Sequence, residues 1–248
     1  MPASPARPAL SVVVPLYDEA RRLQAGLEGL AWLRRLHPGP VEALLVDDGS
    51  TDTTLALARA AEDQHTRVLA EPHRGKGGAV RAGLLAATGA RVLVTDVDWS
   101  VSPPEVLRVL EVEGEVVVAT REGRGARRLG EPWHRHLLGR VFNKLVQSAL
   151  LAGHEDTQCG CKVLSAEVVA DLGPRLVAEG WAYDVELLYL AHLRGWSVIE
   201  RPVTWRHEVD SRLRPGVDAL AMAREVLSIR RRARQGAYGG APSGSRSR

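Results

Sequence analysis

Hydrophobic positions along the first half of the chain follow two alternating spacings. Short runs of β-branched residues, typical of buried strands, are separated by stretches whose apolar residues recur every three or four positions, typical of helices that bury one side. The strands predicted from these runs are 10–17, 41–48, 67–70, 91–98 and 115–120. The helices predicted between and after them are 19–36, 53–63, 77–88 and one that begins at 103. This alternation predicts an α/β fold, a mostly parallel sheet with helices on both faces.

The second half of the chain is less regular but contains no long linker. Its predicted elements are a helix over 133–152, a strand and a helix within 162–172, a helix over 183–195, a strand over 197–205 and a helix over 216–234. We therefore expect a single domain over 10–235, with two functional halves at 10–125 and 126–235. The Pro- and Ala-rich lead over 1–9 is predicted to be flexible, and the Gly- and Ser-rich tail over 236–248 to be disordered.

Composition narrows the class of protein. The 248 residues are 45% hydrophobic and 25% charged, as in an ordinary soluble globular protein. Two cysteines are too few for a disulfide scaffold, the start lacks the features of a signal peptide, and no apolar run reaches the roughly 18 residues of a membrane span. These features exclude a collagen, a secreted precursor, a disulfide mini-protein and an integral membrane protein. They predict a cytoplasmic location.

Charge adds a little more. The net charge is +3, and arginines cluster at 230–234. Such a segment suits a solvated helix end or the surface of an anionic membrane. Nucleic acid is not expected as a partner, because no aromatic residues are interleaved with these arginines.

Acidic residues follow three of the predicted strands at the point where each strand ends. In an open parallel sheet, ligands bind beyond the carboxyl ends of the strands. The acids at these ends, with one tyrosine beside them, are Tyr17, Asp18, Glu19, Asp47, Asp48, Asp96 and Asp98. Carboxylates placed repeatedly at one edge of a sheet indicate a binding site.

Asp96 and Asp98 form the sharpest pair. Residues i and i+2 of a strand point to the same side, and two carboxylates there repel each other unless a cation or a proton lies between them. Hard oxygen ligands suit Mg²⁺ or Mn²⁺, which commonly bridge to substrate phosphates. The alternative is a solvated turn with incidental acids.

The glycine-rich turn RGKGGA, which contains Lys76 and precedes a predicted helix, is a second signal. The free N–H groups and the positive end of such a helix favour an anion, and Lys76 adds a point charge. A plain tight turn is the alternative. Together with the acids, this turn predicts one ligand, a nucleoside diphosphate with its metal ion.

Six segments carry a resemblance to a known family: SVVVPLYDEA, LLVDDGSTDTT, RGKGGAVRAGLLAATG, TDVD, DTQCGCKVLSAE and WAYDVELLYLA. With these segments in this order, the chain resembles the inverting glycosyltransferases of family 2. The nearest resemblance is to the dolichyl-phosphate β-glucosyltransferases and the bacterial polyprenyl-phosphate glycosyltransferases. It covers roughly residues 10–232 and implies the GT-A fold, with a nucleotide-sugar half followed by an acceptor half.

The resemblance implies a role for each matching residue. The residues expected to bind the nucleotide sugar are Pro15, Tyr17, Asp18, Glu19, Asp47, Asp48, Lys76, Asp96, Val97 and Asp98. Asp96 and Asp98 match the metal-binding DxD motif, with Mg²⁺ or Mn²⁺ as the expected cofactor. The residues expected on the sugar or acceptor side are Gln158, Cys159, Trp181, Asp184 and Glu186.

Four residues are expected to act in catalysis. Asp98 would act through the metal ion, and Arg121 and Arg135 fall where relatives hold the acceptor phosphate. Asp156 is the candidate base if the acceptor is a hydroxyl group. Trp99 follows the DxD motif where glucosyl-type relatives usually have Gly or Ala, so we expect an indole near the sugar.

The expected reaction is transfer of a hexose, glucose or mannose, from UDP-glucose or GDP-mannose to a polyprenyl phosphate, with inversion, on the cytoplasmic face of a membrane. Peripheral contact is expected through the apolar side of 133–152 or the basic end of 216–234. The alternative enzyme uses a soluble hydroxyl acceptor, such as a small molecule, a saccharide or a protein. A non-catalytic nucleotide-binding protein is disfavoured by the intact Asp96 and Asp98 pair, and a nucleotidyltransferase by the lack of its N-terminal Gly-rich loop.

Overall fold

The computed structural model describes residues 7–151, 153–154, 156–207 and 217–239. Its strands are β1 (Leu10–Leu16), β2 (Val41–Asp48), β3 (Thr66–Glu71), β4 (Arg91–Val94), β5 (Val116–Thr120), β6 (Arg127–Leu129), β7 (Lys162–Ser165), β8 (Val198–Pro202) and β9 (Thr204–Arg206). Its α-helices are α1 (Leu23–Leu36), α2 (Thr54–Ala60), α3 (Lys76–Ala86), α4 (Pro103–Leu110), α5 (Trp133–Ala149), α6 (Ala166–Leu172), α7 (Tyr183–Leu193) and α8 (Val217–Arg234).

Seven strands form one sheet in the order β3-β2-β1-β4-β7-β5-β8. All neighbouring strands are parallel except β7, which runs antiparallel to both β4 and β5. The predicted α/β fold with a mostly parallel sheet is confirmed. A separate parallel pair joins β6, which the sequence did not predict, to β9.

Alternation along β1 explains why helices cover both faces of the sheet. Val13 is buried in a cluster with the apolar residues of α3, α6 and α7. Its neighbours Val12 and Val14 are buried in a second cluster, together with residues of α1 and α4. Successive side chains of a strand point to opposite faces, so a strand buried on both faces is apolar throughout. The run LSVVVPL therefore predicts a central strand, as β1 is.

Strand β4 is shorter than expected and changes the geometry of its acids. It was predicted to extend over 91–98 but ends at Val94. Asp96 and Asp98 lie in a turn in which the Trp99 N–H donates to the Asp96 carbonyl at 3.2 Å, and Trp99 has a φ of 48°. The prediction that strand alternation places the two carboxylates on one side is therefore wrong. They are brought to the same region by a turn.

The C-terminal segment is ordered further than expected. Tyr238, within the tail predicted to be disordered, is buried against the core and donates a hydrogen bond of 2.6 Å to Glu186 of α7. Its ring packs in an apolar cluster while its hydroxyl keeps a hydrogen-bond partner, as is usual for a buried tyrosine. Residues 240–248 lie outside the described part of the chain. Within that part, no helix combines the length and the apolar character that crossing a bilayer requires.

Candidate active site

The carboxyl ends of β2, β1 and β4 are neighbours in the sheet, which brings the loops that follow them to one edge. The loop after β1 is tied to the loop after β2 by Asp18. Its carboxylate accepts hydrogen bonds from the N–H groups of Thr51 (2.6 Å) and Asp52 (3.2 Å), and its own N–H donates to Ser50 Oγ at 2.8 Å. Asp18 holds a φ of 46°, which aspartate tolerates better than most residues. It therefore fixes the rim of the site, and its predicted contact with the nucleotide stays a prediction.

Asp47 and Asp48 end β2 and are both buried, but they differ in their partners. Asp48 accepts the N–H groups of Arg74 and Gly75, each at 2.9 Å, and so shapes the glycine-rich turn. Asp47 accepts the Ser50 N–H through Oδ2 at 3.1 Å. Its Oδ1 is buried and has no hydrogen-bond partner among the described residues. Because an unsatisfied buried acceptor is costly, this oxygen indicates a ligand that donates to it.

His73 is a residue of this edge that the sequence reasoning did not select. Its ring stacks on Tyr17 with centroids 4.2 Å apart, and its Nδ1 lies 2.8 Å from Asp48 Oδ2. Tyr17 and His73 thus form an aromatic pair beside Asp47 and Asp48. The signal that could have found His73 was its position directly before the glycine-rich turn.

Lys76 begins α3 and lies against the first acid of the DxD motif. Its Nζ is 2.6 Å from Asp96 Oδ1, and the rings of Trp181 and Tyr183 lie 5.3 Å and 5.8 Å from Nζ. Burial alone would lower the pKa of this ammonium, but the carboxylates of Asp96, Asp184 and, more weakly, Asp98 outweigh it and raise the pKa. Burial would raise the pKa of Asp96, but Lys76 outweighs that effect and the pKa is lowered. Both groups are therefore charged at neutral pH.

Asp98 is held by a second cation, Arg22, which the sequence reasoning also missed. Arg22 Nη1 lies 3.3 Å from Asp98 Oδ2, and the same guanidinium makes a bidentate pair with Glu19 at 2.7 Å and 2.8 Å. The other oxygen of Asp98 accepts from the N–H and the hydroxyl of Ser100 at 3.0 Å and 2.8 Å. Arg22 follows the LYDEA segment by two residues, at the start of α1, where a sequence gives no signal for a contact with residue 98.

The residues present fit a divalent cation in part. Asp96 and Asp98 supply carboxylate oxygens of the kind that Mg²⁺ and Mn²⁺ prefer, and the Asp96 side chain is 34% exposed. No group of three His, Cys, Asp or Glu side chains suited to a metal ion occurs among the residues the structure describes. The protein ligands that the described residues supply therefore make an incomplete site by themselves. Mg²⁺ usually keeps waters and takes further ligands from substrate phosphates, which matches a two-carboxylate site.

Val97, in the middle of the DxD motif, and Trp99, directly after it, both pack against α1. Val97 is buried, and a Cβ on Gly26 would lie 2.5 Å from its Cγ2. Trp99 donates from its indole nitrogen to the Gly26 carbonyl at 2.9 Å and packs over Gly29. The indole ring is thus engaged with α1, and its nearness to the sugar stays a prediction. Pro15, half-buried near the end of β1, lies at the same edge of the sheet.

Arg121 and Asp156, predicted as catalytic residues, pair with each other. Two side-chain hydrogen bonds of 2.8 Å join them, and Asp156 also accepts the Arg121 N–H at 2.9 Å. Burial would raise the pKa of Asp156, but Arg121 outweighs it and holds the pKa well below the usual range of a carboxyl. Such a carboxylate is a weak base. Arg135 lies in α5, and its side chain is outside the described part of the structure.

The remaining residues of the acceptor half are largely engaged with the protein itself. Cys159 is buried, and burial raises the pKa of its thiol to about 11, so the thiol is protonated at neutral pH. Asp184 forms an ion pair with Lys162, which is also fully buried. The amide nitrogen of Gln158 lies 4.0 Å from the sulfur of Met222 in α8.

Glu186 supports the loop that carries Trp181. Its carboxylate accepts the N–H groups of Val177 and Ala178 at 2.8 Å and 2.7 Å, and the hydroxyl of Tyr238. This loop packs closely on the glycine-rich turn, because a Cβ on Gly77 would lie 2.2 Å from the Ala178 carbonyl oxygen. Glu186 therefore positions the wall of the site. Trp181 and Tyr183 of the WAYDVE segment both lie against the Lys76 ammonium.

A mostly parallel sheet whose carboxyl edge carries these acids and this lysine defines the class of protein. The fold is the GT-A fold of glycosyltransferases, as in glucosyl-3-phosphoglycerate synthase from Mycobacterium tuberculosis. One structure of that enzyme, with phosphoglyceric acid, has a TM-score of 0.68 and 23% identity, covering 96% of this chain and 82% of that one. Another, with Mn²⁺, UDP-glucose and phosphoglyceric acid, has a TM-score of 0.65 and 22% identity over the same shares.

The chain belongs to glycosyltransferase family 2, because the family model "Glycosyl transferase family 2" matches residues 11–173. Its curated relatives include the dolichyl-phosphate β-glucosyltransferase of Homo sapiens, 32% identical over 92% of this chain and 77% of the human one. The enzyme of that name from Saccharomyces cerevisiae is 30% identical over 89% and 74% of the two chains. The resemblance described from the sequence is confirmed.

Proposed function

We propose that this family 2 glycosyltransferase transfers a hexose from a nucleotide sugar to a polyprenyl phosphate at a membrane surface. The transfer inverts the configuration of the sugar, and glucose is the hexose we propose first. The likeness to dolichyl-phosphate β-glucosyltransferases over nine-tenths of the chain supports the choice of sugar and acceptor. The observation that carries the acceptor class is that three acids of the acceptor half, Asp156, Asp184 and Glu186, are already paired within the protein.

The donor nucleotide is expected at the ends of β1 and β2. The buried Oδ1 of Asp47 can only accept a hydrogen bond, and it fits the ring N–H of a uracil or a guanine. The stacked rings of Tyr17 and His73 border this position and offer an apolar surface to a base. We take UDP-glucose as the first donor to test and GDP-mannose as the second.

The diphosphate is expected between the two DxD carboxylates and the start of α3. Lys76 and Arg22 supply positive charge, and the N–H groups of the first turn of α3 favour an anion. A divalent ion held by Asp96 and Asp98, when bound, would stabilise the charge that develops on the departing diphosphate. Lys76 would bind the same leaving group and orient it.

The acceptor is expected to bring its own negative charge. Asp156 is a weak base because Arg121 stabilises its charged form, and Asp184 is paired with Lys162. Glu186 accepts two backbone N–H groups through one oxygen and the Tyr238 hydroxyl through the other. A hydroxyl acceptor needs a base to remove its proton, whereas a phosphate monoester is already an anion. The pairing of these three acids therefore favours a phosphate acceptor over the hydroxyl alternative.

One exposed surface suits a bilayer of anionic lipid. Along α5, Trp133 is 77% exposed and Leu137 is 54% exposed, and Arg140 and Lys144 are exposed on the same face, at intervals of three or four residues. Tryptophan and leucine next to cations are typical of helices that lie in the membrane interface. This surface would bring the site to a lipid-bound acceptor.

The test of the reaction compares donors and acceptors with the full chain. Labelled UDP-glucose and GDP-mannose are each incubated with a short-chain polyprenyl phosphate, with the corresponding prenol, and with phosphoglyceric acid as a soluble hydroxyl acceptor. We expect transfer from UDP-glucose to the polyprenyl phosphate, giving a β-linked product. Transfer to a hydroxyl acceptor alone would contradict the proposal.

The role of the DxD motif is tested by Asp98→Ala. We expect it to lower turnover by at least about a hundredfold, since removing one group that stabilises the transition-state charge commonly costs that much. Its thermal unfolding should stay close to that of the wild type, because Asp98 is half-buried in a loop. Near-normal turnover of the folded variant would overturn the metal assignment.

The role of α5 is tested by flotation with vesicles that contain anionic lipid. The double variant Trp133→Ala and Leu137→Ala should lose most vesicle binding. Leu57→Ala, which removes a 45%-exposed leucine from α2, is the matched control and should bind as the wild type does. Equal binding by all three proteins would exclude this surface.

A further inference from the structure

Each carboxylate of the proposed metal pair is already neutralised by a cation of the protein. Lys76 Nζ lies 2.6 Å from Asp96 Oδ1, and Arg22 Nη1 lies 3.3 Å from Asp98 Oδ2. Arg22 and Asp98 are 76 positions apart in the sequence. The site is therefore assembled with two positive side chains where a divalent ion is expected.

The surroundings of Lys76 hold its charge in place. Asp96, Asp184 and Asp98 all stabilise the ammonium, and the face of Trp181 lies 5.3 Å from it. A cation beside an aromatic face gains additional stabilisation. Lys76 thus has interactions that remain when its contact with Asp96 is broken, so it can leave Asp96 without leaving the site.

We propose that Lys76 and Arg22 are exchangeable counter-cations, which neutralise Asp96 and Asp98 in the metal-free protein and turn to the diphosphate when a divalent ion takes their place. This inference rests on the proposed function, because it assumes that the DxD carboxylates bind the ion. It assigns to Arg22 a role that its position in the sequence does not suggest.

The exchange has a thermodynamic consequence. A divalent ion that arrives alone must displace two cations, which then lose their contacts with Asp96 and Asp98. When the diphosphate is present, its oxygens give those cations new partners, so the ion and the nucleotide bind more tightly together than either binds alone. Linkage requires that each ligand strengthens the other by the same factor.

The experiment measures Mn²⁺ binding to the full-length protein by titration calorimetry, without nucleotide and with saturating UDP. For the wild type we expect weak binding of Mn²⁺ alone, and at least about tenfold tighter binding with UDP. For Lys76→Met we expect Mn²⁺ alone to bind at least about tenfold tighter than to the wild type, which corresponds to about 1.4 kcal/mol. The increase in Mn²⁺ affinity that UDP causes should be smaller in this variant, because one cation fewer moves from a carboxylate to the diphosphate.

Arg81→Met is the matched control. It removes one positive charge from the same helix, but Arg81 lies about 140° around α3 from Lys76 at 100° per residue, and lines a groove with Leu85 and Val177. Its affinity for Mn²⁺ should be that of the wild type. Arg22→Met tests the same exchange at Asp98 if the Lys76 variant does not fold, and it should also bind Mn²⁺ alone more tightly.

The outcomes separate this inference from the proposed function. If the wild type binds Mn²⁺ with UDP but the folded Lys76→Met and Arg22→Met variants bind Mn²⁺ alone no tighter than Arg81→Met, the exchange is refuted and the metal site stands. If the wild type binds no Mn²⁺ even with UDP, both the metal site and the exchange are refuted. A loss of metal binding in Lys76→Met would mean that Lys76 supports the site instead of competing for it.

Discussion

Replacement of Asp156 by Asn should destabilise the protein by about 3 kcal/mol. The carboxylate is 4% exposed and makes two side-chain hydrogen bonds to Arg121, with backbone N–H groups as further donors. Asparagine keeps the size of the side chain but removes the charge, and its amide offers one acceptor where the carboxylate offered two. Removing one partner of a buried ion pair commonly costs about 3–5 kcal/mol. Arg121 is 19% exposed and lies over the Trp205 ring, which argues for the lower end.

The assay is thermal unfolding, supported by urea titration. For a chain of this size, a loss of about 3 kcal/mol lowers the midpoint by about 6–12 °C. The matched control is Glu105→Gln, which breaks the pair between Glu105 and the exposed Arg108 and should cost at most about 1 kcal/mol. A shift for Asp156→Asn no larger than that of the control would refute the reasoning.

The pairing of Asp156 with Arg121 also predicts how the stability difference between wild type and Asp156→Asn depends on pH. The pKa of Asp156 is lower in the folded protein than in the unfolded chain, where a carboxyl of this kind has a pKa of about 3.9. The contribution of Asp156 to the free energy of unfolding is therefore complete above the pKa of the unfolded chain. It is lost as the pH falls through the lower pKa that Asp156 has in the folded protein. The stability difference between wild type and Asp156→Asn should be constant from about pH 5 to pH 8 and should shrink only below about pH 4. A difference that shrinks around neutral pH would point to another group.

Three further predictions use separate features. Asp47→Asn should weaken binding of UDP by about 10- to 100-fold in calorimetry without unfolding the protein, since a hydrogen bond to a charged acceptor contributes about 1.5–3 kcal/mol; unchanged affinity would remove Asp47 from the base site. Cys159 and Cys161 should react slowly with a thiol reagent at pH 8 in the folded protein and quickly in denaturant, because burial raises the pKa of both thiols; fast labelling of the native protein would contradict their burial. Tyr238→Phe should lower the free energy of unfolding by about 1–3 kcal/mol in urea, because it leaves a buried oxygen of Glu186 without its donor; no change would mean that the C-terminal turn does not dock on α7.

The local pattern of apolar and polar residues was sufficient to predict most of the strands and helices. The run LSVVVPL is apolar at every position except Ser11, which predicts a strand covered on both faces, and β1 is central in the sheet. The leucine spacing after it predicts a helix, and α1 buries Leu23, Leu30 and Leu33. Boundaries were less accurate. The strand that ends in the DxD motif is four residues shorter than expected, because Asp96 to Trp99 form a turn closed by a backbone hydrogen bond.

The candidate site was predictable only in its positions along the chain. Acids at strand ends can be read from sequence because the end of a strand is a local property, and parallel strands bring their ends to one edge. The partners of those acids are not local. Asp98 contacts Arg22, which is 76 positions away in the sequence, and Arg121 contacts Asp156, which is 35 positions away. No spacing rule connects such residues.

The chain by itself therefore determined the kind of sheet, the edge that carries the chemistry and the family to which the protein belongs. Only the tertiary structure decided which carboxylates are open to a ligand and which are already neutralised: Asp47 keeps a buried oxygen without a donor among the described residues, whereas Asp156 is held by Arg121. The physical reason is that a charge's behaviour depends on burial and on neighbours a few ångströms away in space. Those neighbours belong to strands and helices that come into contact only when the chain has folded.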